Sequence, residues 1–171
     1  MRIVSPRAWP KEMTAVASQQ PTKIRVKDVM TPDPVCADAA ASLQELAELF
    51  DANEISGVPV VDAQNRLIGV VSKTDLIHRC LEGPIGAREG MEFFDRLRIG
   101  MSPSRDLDPN DLGVAEDFMS IDPVTARPDE LLSAVARRMA DERVHRVVVV
   151  SEGNEPVGIV TSLDALKAFP A

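Results

Sequence analysis

The sequence has 171 residues, of which 44% are hydrophobic and 4% aromatic, so the core is expected to consist mainly of aliphatic side chains. The formal net charge of −8 argues against a duplex-DNA binder, which needs a basic face to neutralise phosphates. No window approaches the roughly 20 apolar residues of a membrane span, and no run fits a signal peptide, so we expect a soluble cytoplasmic protein.

The first elements are predicted from proline and capping patterns. Residues 1–22 are expected to form a flexible arm, and a short helix is predicted at 26–30. Pro34 marks the end of that helix, because the residue before a proline is biased away from helical geometry. Ser42 and Glu45 then form a capping-box pattern, which predicts an amphipathic helix.

A hairpin and a second helix complete the first unit. The apolar runs VPVVD and LIGVVS flank a polar turn at 63–65 and predict two buried strands. A helix is predicted at 74–81, and a long insertion follows at 83–113. The insertion is expected to contain a short amphipathic helix, with Met91 and Phe94 on its apolar side, that covers the fold or supports a homodimer.

The second unit has the same order of elements over 114–171. Asp129 is the expected cap of its first helix, the runs VVVVS and PVGIVT predict its strands, and its last helix is predicted at 163–168. Each unit therefore has the pattern β-α-β-β-α with one small sheet. Since so small a unit covers its own sheet poorly, two units are expected to pack sheet to sheet about a pseudo-twofold axis.

A shift of 89 residues superimposes the two units without a gap. The segment DVMTPDPVCA then lies over DFMSIDPVTA, and GVVSKTD at Gly69 lies over GIVTSLD at Gly158 (158 − 69 = 89). The identities are spread over several predicted elements, as in a true structural repeat.

These ordered motifs resemble the CBS (cystathionine-β-synthase) domain, and two in tandem resemble a CBS pair, or Bateman module. The resemblance implies an α/β (α+β) disc made of two repeats, at 23–82 and 114–171. It also implies two clefts between the repeats that bind AMP, ADP, ATP or S-adenosylmethionine as a regulatory signal, and pairing of two modules into a homodimer.

The repeated Ser/Thr-x-x-Asp motif has two interpretations. Ser72 with Asp75, and Thr161 with Asp164, fit the spacing of a helix capping box. The same groups at a helix N-terminus suit a ligand, since the hydroxyl can donate to phosphate and the carboxylate can accept from ribose hydroxyls. Both interpretations stay open, and they are compatible.

The resemblance implies that residues before the second strand of the partner repeat approach the ligand phosphates. VHRVVVV, which contains His145 and Arg146, resembles the phosphate-contacting stretch of the γ subunit of AMP-activated protein kinase. The first predicted cleft therefore combines Ser72 and Asp75 with His145 and Arg146.

The second predicted cleft combines Thr161 and Asp164 with Ser56 and Gly57, which offer little against phosphate charge. Apolar residues are predicted to form the adenine walls: Val35, Ile55, Val58 and Pro59 in one half, and Val124, Val144 and Val147 in the other. Cys36 and Thr125 are predicted to edge the clefts, with Cys36 as a packing residue.

No motif of an enzyme is present, and no His, Cys or carboxylate spacing predicts a catalytic or metal site. The sequence thus predicts a binding module that needs no cofactor and regulates another, unidentified protein. The alternatives are a structural dimerisation module without a ligand, an S-adenosylmethionine sensor, and, least favoured, an enzyme whose active site the insertion closes.

Overall fold

The computed structural model describes residues 24–82 and 113–168. The first of these segments begins with a 3₁₀ turn, Val26–Asp28, and contains strands β1 to β4 and two helices: β1 Thr31–Pro32, β2 Ala37–Asp38, α1 Leu43–Ala52, β3 Gly57–Val61, β4 Leu67–Ser72 and α2 Lys73–Glu82. The second segment repeats this order: α3 Ala115–Phe118, β5 Ser120–Ile121, β6 Thr125–Ala126, α4 Leu132–Asp141, β7 Arg146–Val150, β8 Pro156–Thr161 and α5 Ser162–Lys167. The predicted β-α-β-β-α pattern is confirmed in both repeats.

Each repeat gives its first short strand to the sheet of the other. One four-stranded sheet has the order β1-β8-β7-β6, and the other has the order β2-β3-β4-β5. β1 pairs antiparallel with β8, and β5 pairs antiparallel with β4. Each sheet therefore contains the three strands of one unit's β-α-β-β-α pattern and one additional two-residue edge strand, which was not predicted, from the other repeat.

The two cores correspond residue by residue under the shift of 89. One contains Ala37, Leu43, Leu46, Phe50, Val58, Val60, Val71, Leu76 and Ala115. The other contains Val26, Ala126, Leu132, Val135, Met139, Val147, Val149, Val160 and Ala165. Val26 and Ala115 are the exchanged pair, since each lies in the core of the repeat to which it does not belong by sequence. The amphipathic stripes predicted for α1 and α4 are the buried faces of these helices.

The glycine of the repeated motif makes room for the exchanged segment. A Cβ atom on Gly69 would lie 2.5 Å from Met119 Sδ, and one on Gly158 would lie 2.6 Å from Met30 Sδ. Real Cβ atoms do not approach other heavy atoms so closely. Each glycine thus leaves space for a methionine side chain of the other repeat. The repeated motif in this way accommodates the exchanged strand next to that methionine.

The predicted cap of α1 is confirmed, whereas the predicted cap of α4 is wrong. Ser42 Oγ accepts a hydrogen bond from Glu45 N, and the Glu45 carboxylate accepts one from Ser42 N at 2.7 Å. Leu131 precedes α4 and gives it no side-chain cap. Asp129 lies too early to cap the helix, and its carboxylate binds Lys27 Nζ at 2.7 Å. The hydrogen bond from Lys27 and its charge lower the pKa of Asp129.

A second contact joins the repeats at the far end of the hairpins. Asn154 Nδ2 donates to Leu67 O at 2.9 Å, and Leu67 N donates to Asn154 O at 2.8 Å. Leu67 also packs with Val148 and Val150 in a small apolar cluster between the two sheets. The repeats therefore meet at one closed end, and a cavity lies elsewhere along the same junction.

Candidate functional site

The candidate site is a cavity of about 570 Å³ between the two repeats. This volume lies within the range of about 300–1,000 Å³ usual for small-molecule sites. Residues from both repeats line it: Ser56, Gly57, Val58, Pro59, Val70, Val71, Ser72, Lys73 and Thr74 from the first, and Ser120, Ile121, Asp122, Pro123, Val124, Val144, His145, Arg146, Val147, Val148 and Ile159 from the second.

The polar side chains of the cavity include three basic groups and one acid. Arg146 Nη2 donates to Ser56 Oγ at 3.0 Å, and this hydrogen bond joins the two repeats across the cavity. The described part of the chain provides no hydrogen-bond or ion-pair partner for the side chains of Lys73, His145 or Asp122. Among the described residues these groups have no competing partner, and Arg146 has further N–H donors besides the one that binds Ser56.

Ser72 and Thr161 both cap the helices that follow them. Ser72 Oγ donates to Asp75 Oδ2 at 2.6 Å, and Asp75 N donates back to Ser72 Oγ at 3.3 Å. Thr161 and Asp164 repeat this geometry with the same two distances, 2.6 and 3.3 Å. The capping interpretation of the motif is thus confirmed in both repeats. Ser72 already donates its hydroxyl proton to Asp75, so the hydroxyl group must rotate before it can donate to a ligand.

The structure brings together residues that the sequence assigned to separate clefts. The predicted residues that line this cavity are Ser56, Gly57, Val58, Pro59, Ser72, Val124, Val144, His145, Arg146 and Val147. The predicted residues that do not line it are Val35, Cys36, Ile55, Asp75, Thr125, Thr161 and Asp164. Asp75 caps α2 just behind the cavity wall, because its partner Ser72 is a lining residue.

Strand exchange explains why residues of both repeats line this cavity. β5 pairs with β4, and Gly69 lies opposite Ile121 in that pairing. The Asp-Pro-Val stretch that follows β5 is thereby carried next to the first repeat, and Val124 reaches the same cavity as Ser72. A sequence comparison within each repeat cannot show this, because the neighbour comes from the other repeat.

Several lining residues were missed by the sequence analysis. Lys73 and Thr74 occupy the two variable positions of the repeated motif, so the motif itself gave no reason to choose them. Asp122 belongs to the repeated Asp-Pro-Val stretch and could have been selected together with Val124. It has a left-handed backbone with φ 51°, as does Asp33 at the equivalent position.

Cys36 lies outside the candidate site and behaves as a packing residue. It lines a separate surface pocket of about 390 Å³ beside α1, together with Leu46 and Leu49. Its thiol is 3.4 Å from Pro34 O, and burial raises the pKa of the thiol above its ordinary value. A raised pKa disfavours the reactive thiolate.

The described residues contain neither a membrane-spanning helix nor a cluster of metal ligands. No helix within 24–82 or 113–168 is both long and apolar enough to cross a bilayer. Within the same segments, His, Cys, Asp and Glu side chains form no group of three or more that could hold a metal ion.

The fold defines a class of protein in which two α/β repeats pack together with a cavity between them. A family model for the CBS domain matches residues 26–82 and 114–171. The chain therefore belongs to the CBS-domain family and contains two CBS domains in tandem.

Two relatives show the range of proteins that contain this unit. The chain is 29% identical over 142 residues to protein MJ1225 of Methanocaldococcus jannaschii, covering 83% of this chain and 41% of that protein. It is 26% identical over 122 residues to the 5'-AMP-activated protein kinase subunit gamma-3 of Bos taurus, covering 71% of this chain and 21% of the subunit. The chain thus spans less than half the length of either relative.

Solved CBS pairs have the same fold. The CBS domain pair of protein MJ0100, in complex with 5-methylthioadenosine and S-adenosyl-L-methionine, matches with a TM-score of 0.60, 24% identity and coverage of 84% of this chain and 94% of that one. CBSX2 in complex with AMP matches with a TM-score of 0.62, 24% identity and the same two coverages, 84% and 94%. At this identity the likeness establishes the fold alone.

Proposed function

We propose that this CBS pair is a regulatory module that binds an adenine nucleotide in the cavity between its repeats. The observation that carries the proposal is that one cavity combines apolar walls with a cluster of hydroxyl and basic groups. Val58, Pro59 and Val124 offer the apolar surface that an adenine ring needs. Lys73, Arg146 and the hydroxyl groups around them offer the donors that a phosphate needs.

The charges of the cavity favour an anionic ligand over a cationic one. Lys73 and Arg146 carry two positive charges against the single negative charge of Asp122. A phosphate gains from this surplus, and a guanidinium binds phosphate with a planar pair of donors. S-adenosylmethionine carries a positive sulfonium and gains nothing from the same surplus. It is therefore the second candidate, supported by the MJ0100 complex.

Nucleotide binding can be transmitted through Arg146. Its hydrogen bond to Ser56 ties the two repeats together at 3.0 Å. A phosphate that takes the Nη2 donor of the guanidinium competes with Ser56 and replaces this direct bridge by one that passes through the ligand. Binding then shifts the population of inter-repeat arrangements by as much as the ligand prefers one of them, and we propose that a regulated partner protein recognises the favoured one.

Calorimetric titration with AMP, ADP, ATP and S-adenosylmethionine tests the proposed function. We expect saturable binding of at least one adenine nucleotide and weaker binding of S-adenosylmethionine. If none of the four binds at high concentration, the proposal is wrong, and the chain is better described as a structural dimerisation module.

Asp75→Ala and Asp164→Ala form a matched pair that separates capping from ligand binding. Each removes the carboxylate half of the same capping box, so each is expected to lower the free energy of unfolding by a similar amount, about 0.5–2 kcal/mol. Because Ser72 lines the cavity and Thr161 does not, only Asp75→Ala is expected to weaken nucleotide binding as well. Urea unfolding and calorimetry measure the two effects, and equal affinities in both variants would leave Asp75 a capping residue only.

We also propose that the module forms a homodimer. The support is that Leu131 and Leu163 are 42% and 64% exposed, which is high for large apolar side chains. Light scattering over a range of concentrations is expected to give the mass of two chains. A mass that stays that of one chain at every concentration would contradict this proposal.

A further inference from the structure

Hydrogen bonds join the two sheets of the fold at both ends of strand β7. At its start, Arg146 Nη2 donates to Ser56 Oγ at 3.0 Å. In the turn that follows β7, Asn154 Nδ2 donates to Leu67 O at 2.9 Å, and Leu67 N donates to Asn154 O at 2.8 Å. Since a strand rises about 3.4 Å per residue, the five residues of β7 separate the two contacts by roughly 14 Å.

The two contacts differ in how well they exclude water. Arg146 is exposed, and a single hydrogen bond joins it to the serine. The contact of Asn154 has two hydrogen bonds, and an apolar cluster lies beside it in which Leu67, Val148 and Val150 are only 7%, 6% and 2% exposed. Water competes for an exposed hydrogen bond and is excluded from such a cluster. The end of β7 that carries Arg146 therefore opens more readily than the end near Asn154.

The contact of Asn154 has no full counterpart in the other hairpin. The shift of 89 makes Asn65 equivalent to Asn154 and Pro156 equivalent to Leu67. Both asparagines have positive φ, 60° and 66°, in equivalent turns. Pro156 has no N–H group, so the counterpart of the hydrogen bond from Leu67 N cannot form. The side chain of Asn65 makes no hydrogen bond to another described residue. One off-centre contact thus holds this end of the junction.

We propose that the Asn154–Leu67 pair is the fixed pivot about which the spacing of the two sheets changes when a nucleotide enters the cavity, an inference that rests on the proposed function. Residues 144–148 line the cavity and 149–150 do not, so the cavity lies toward the Arg146 end of β7. A phosphate that takes the Nη2 donor of Arg146 releases Ser56 and leaves the pivot in place. Asn154 does not line the cavity. It is a positioning residue, which holds the start of β4 close to the end of β7 before the ligand binds.

Amide hydrogen exchange in the full chain tests the pivot without any ligand. Asn154→Asp removes the amide donor but keeps a residue type that tolerates positive φ. Asn65→Asp is the matched control, because it adds the same charge in the equivalent turn. The Leu67 amide is expected to exchange about tenfold faster in Asn154→Asp, the equivalent of one ordinary hydrogen bond, and at an unchanged rate in Asn65→Asp. Asn154→Ala, which adds no charge, is expected to accelerate the exchange as well, with circular dichroism confirming that all three variants are folded.

Titration with AMP, followed by NMR and calorimetry, tests the response of the pivot to a ligand. AMP is expected to shift the amide signals of Ser56 and Arg146 and to leave those of Leu67 and Asn154 in place. Its affinity is expected to be about 3- to 10-fold lower in Asn154→Asp than in Asn65→Asp, because the cavity walls are then less well ordered before binding. A merely structural role would lower stability and leave the affinity of the folded chain unchanged.

The outcomes separate the pivot from the proposed function. Equal exchange of the Leu67 amide in Asn154→Asp and Asn65→Asp overturns the pivot, whether or not a nucleotide binds. If AMP binds with equal affinity to both variants, or shifts the Leu67 signal as strongly as that of Ser56, the pivot is wrong and the proposed function stands. If no nucleotide binds the unmodified chain, the proposed function fails and the response to a nucleotide fails with it. Faster exchange in Asn154→Asp would still establish that this pair holds its end of the junction closed.

Discussion

Arg146→Ala is expected to weaken the binding of AMP by about 10- to 100-fold. A hydrogen bond to a charged group contributes about 1.5–3 kcal/mol, and each 1.4 kcal/mol corresponds to a factor of ten in affinity. The guanidinium is a permanent positive charge in the cavity and is already held there by Ser56. Calorimetric titration of the variant and the unmodified chain gives the two dissociation constants.

Arg137→Ala is the appropriate control for this experiment. Arg137 is exposed on α4 and does not line the cavity, so its removal changes the net charge equally without touching the site. An affinity that falls to the same extent in both variants would mean that Arg146 acts only through overall charge. An affinity unchanged in Arg146→Ala would exclude the guanidinium as a phosphate ligand.

Gly69→Ala is expected to lower the free energy of unfolding by about 1–3 kcal/mol, a usual range for overpacking a filled core. The added Cβ would lie 2.5 Å from Met119 Sδ and 3.0 Å from Ser120 O. Either the methionine or the β4–β5 pairing must shift. Urea unfolding measures the loss.

Two further variants identify the cause of that loss. Gly153→Ala is the control, because a Cβ atom there would meet nothing closer than 3.6 Å. In a double-mutant cycle, Met119→Ala should reduce the cost of Gly69→Ala, since the main obstacle has been removed. A cost no larger than that of Gly153→Ala would show that the glycine is not needed for the strand exchange.

The buried faces of the fold were predictable from the sequence because each helix and hairpin carries its own pattern. Leu43, Leu46 and Phe50 follow a helical period, and all three lie in one core. The cap formed by Ser42 and Glu45 was predictable for the same reason, since all of its partners lie within four residues. Local physical chemistry was enough for these features.

The strand exchange was not predictable in this way. β1 and β5 have only two residues each, too few for any period to be recognised. Their positions depend on Met30 and Met119 fitting against distant glycines, and that contact is visible only in three dimensions. Asp129 was misassigned for a similar reason, because Lys27, 102 residues away, binds its carboxylate.

The same long-range dependence separated residues of this cavity in the sequence analysis. Arg146 and Ser56 were placed in different clefts, yet they share a hydrogen bond. Lys73 was passed over because it fills a variable position of the repeat. The repeat shows what the two halves have in common, whereas this cavity also depends on residues in which the halves differ, such as Lys73 and Arg146.

The exchange of β1 and β5 also determines how the chain must fold. Thr31 pairs with Ile159, so the sheet β1-β8-β7-β6 can form completely only after almost the whole described chain has been synthesised. Neither core is complete without a residue from the other repeat, so we expect that neither repeat folds on its own. Contacts of such high sequence separation slow folding and make unfolding a concerted, all-or-none event. A small molecule that binds at the junction therefore stabilises the entire pair against unfolding, so a thermal shift reports its presence.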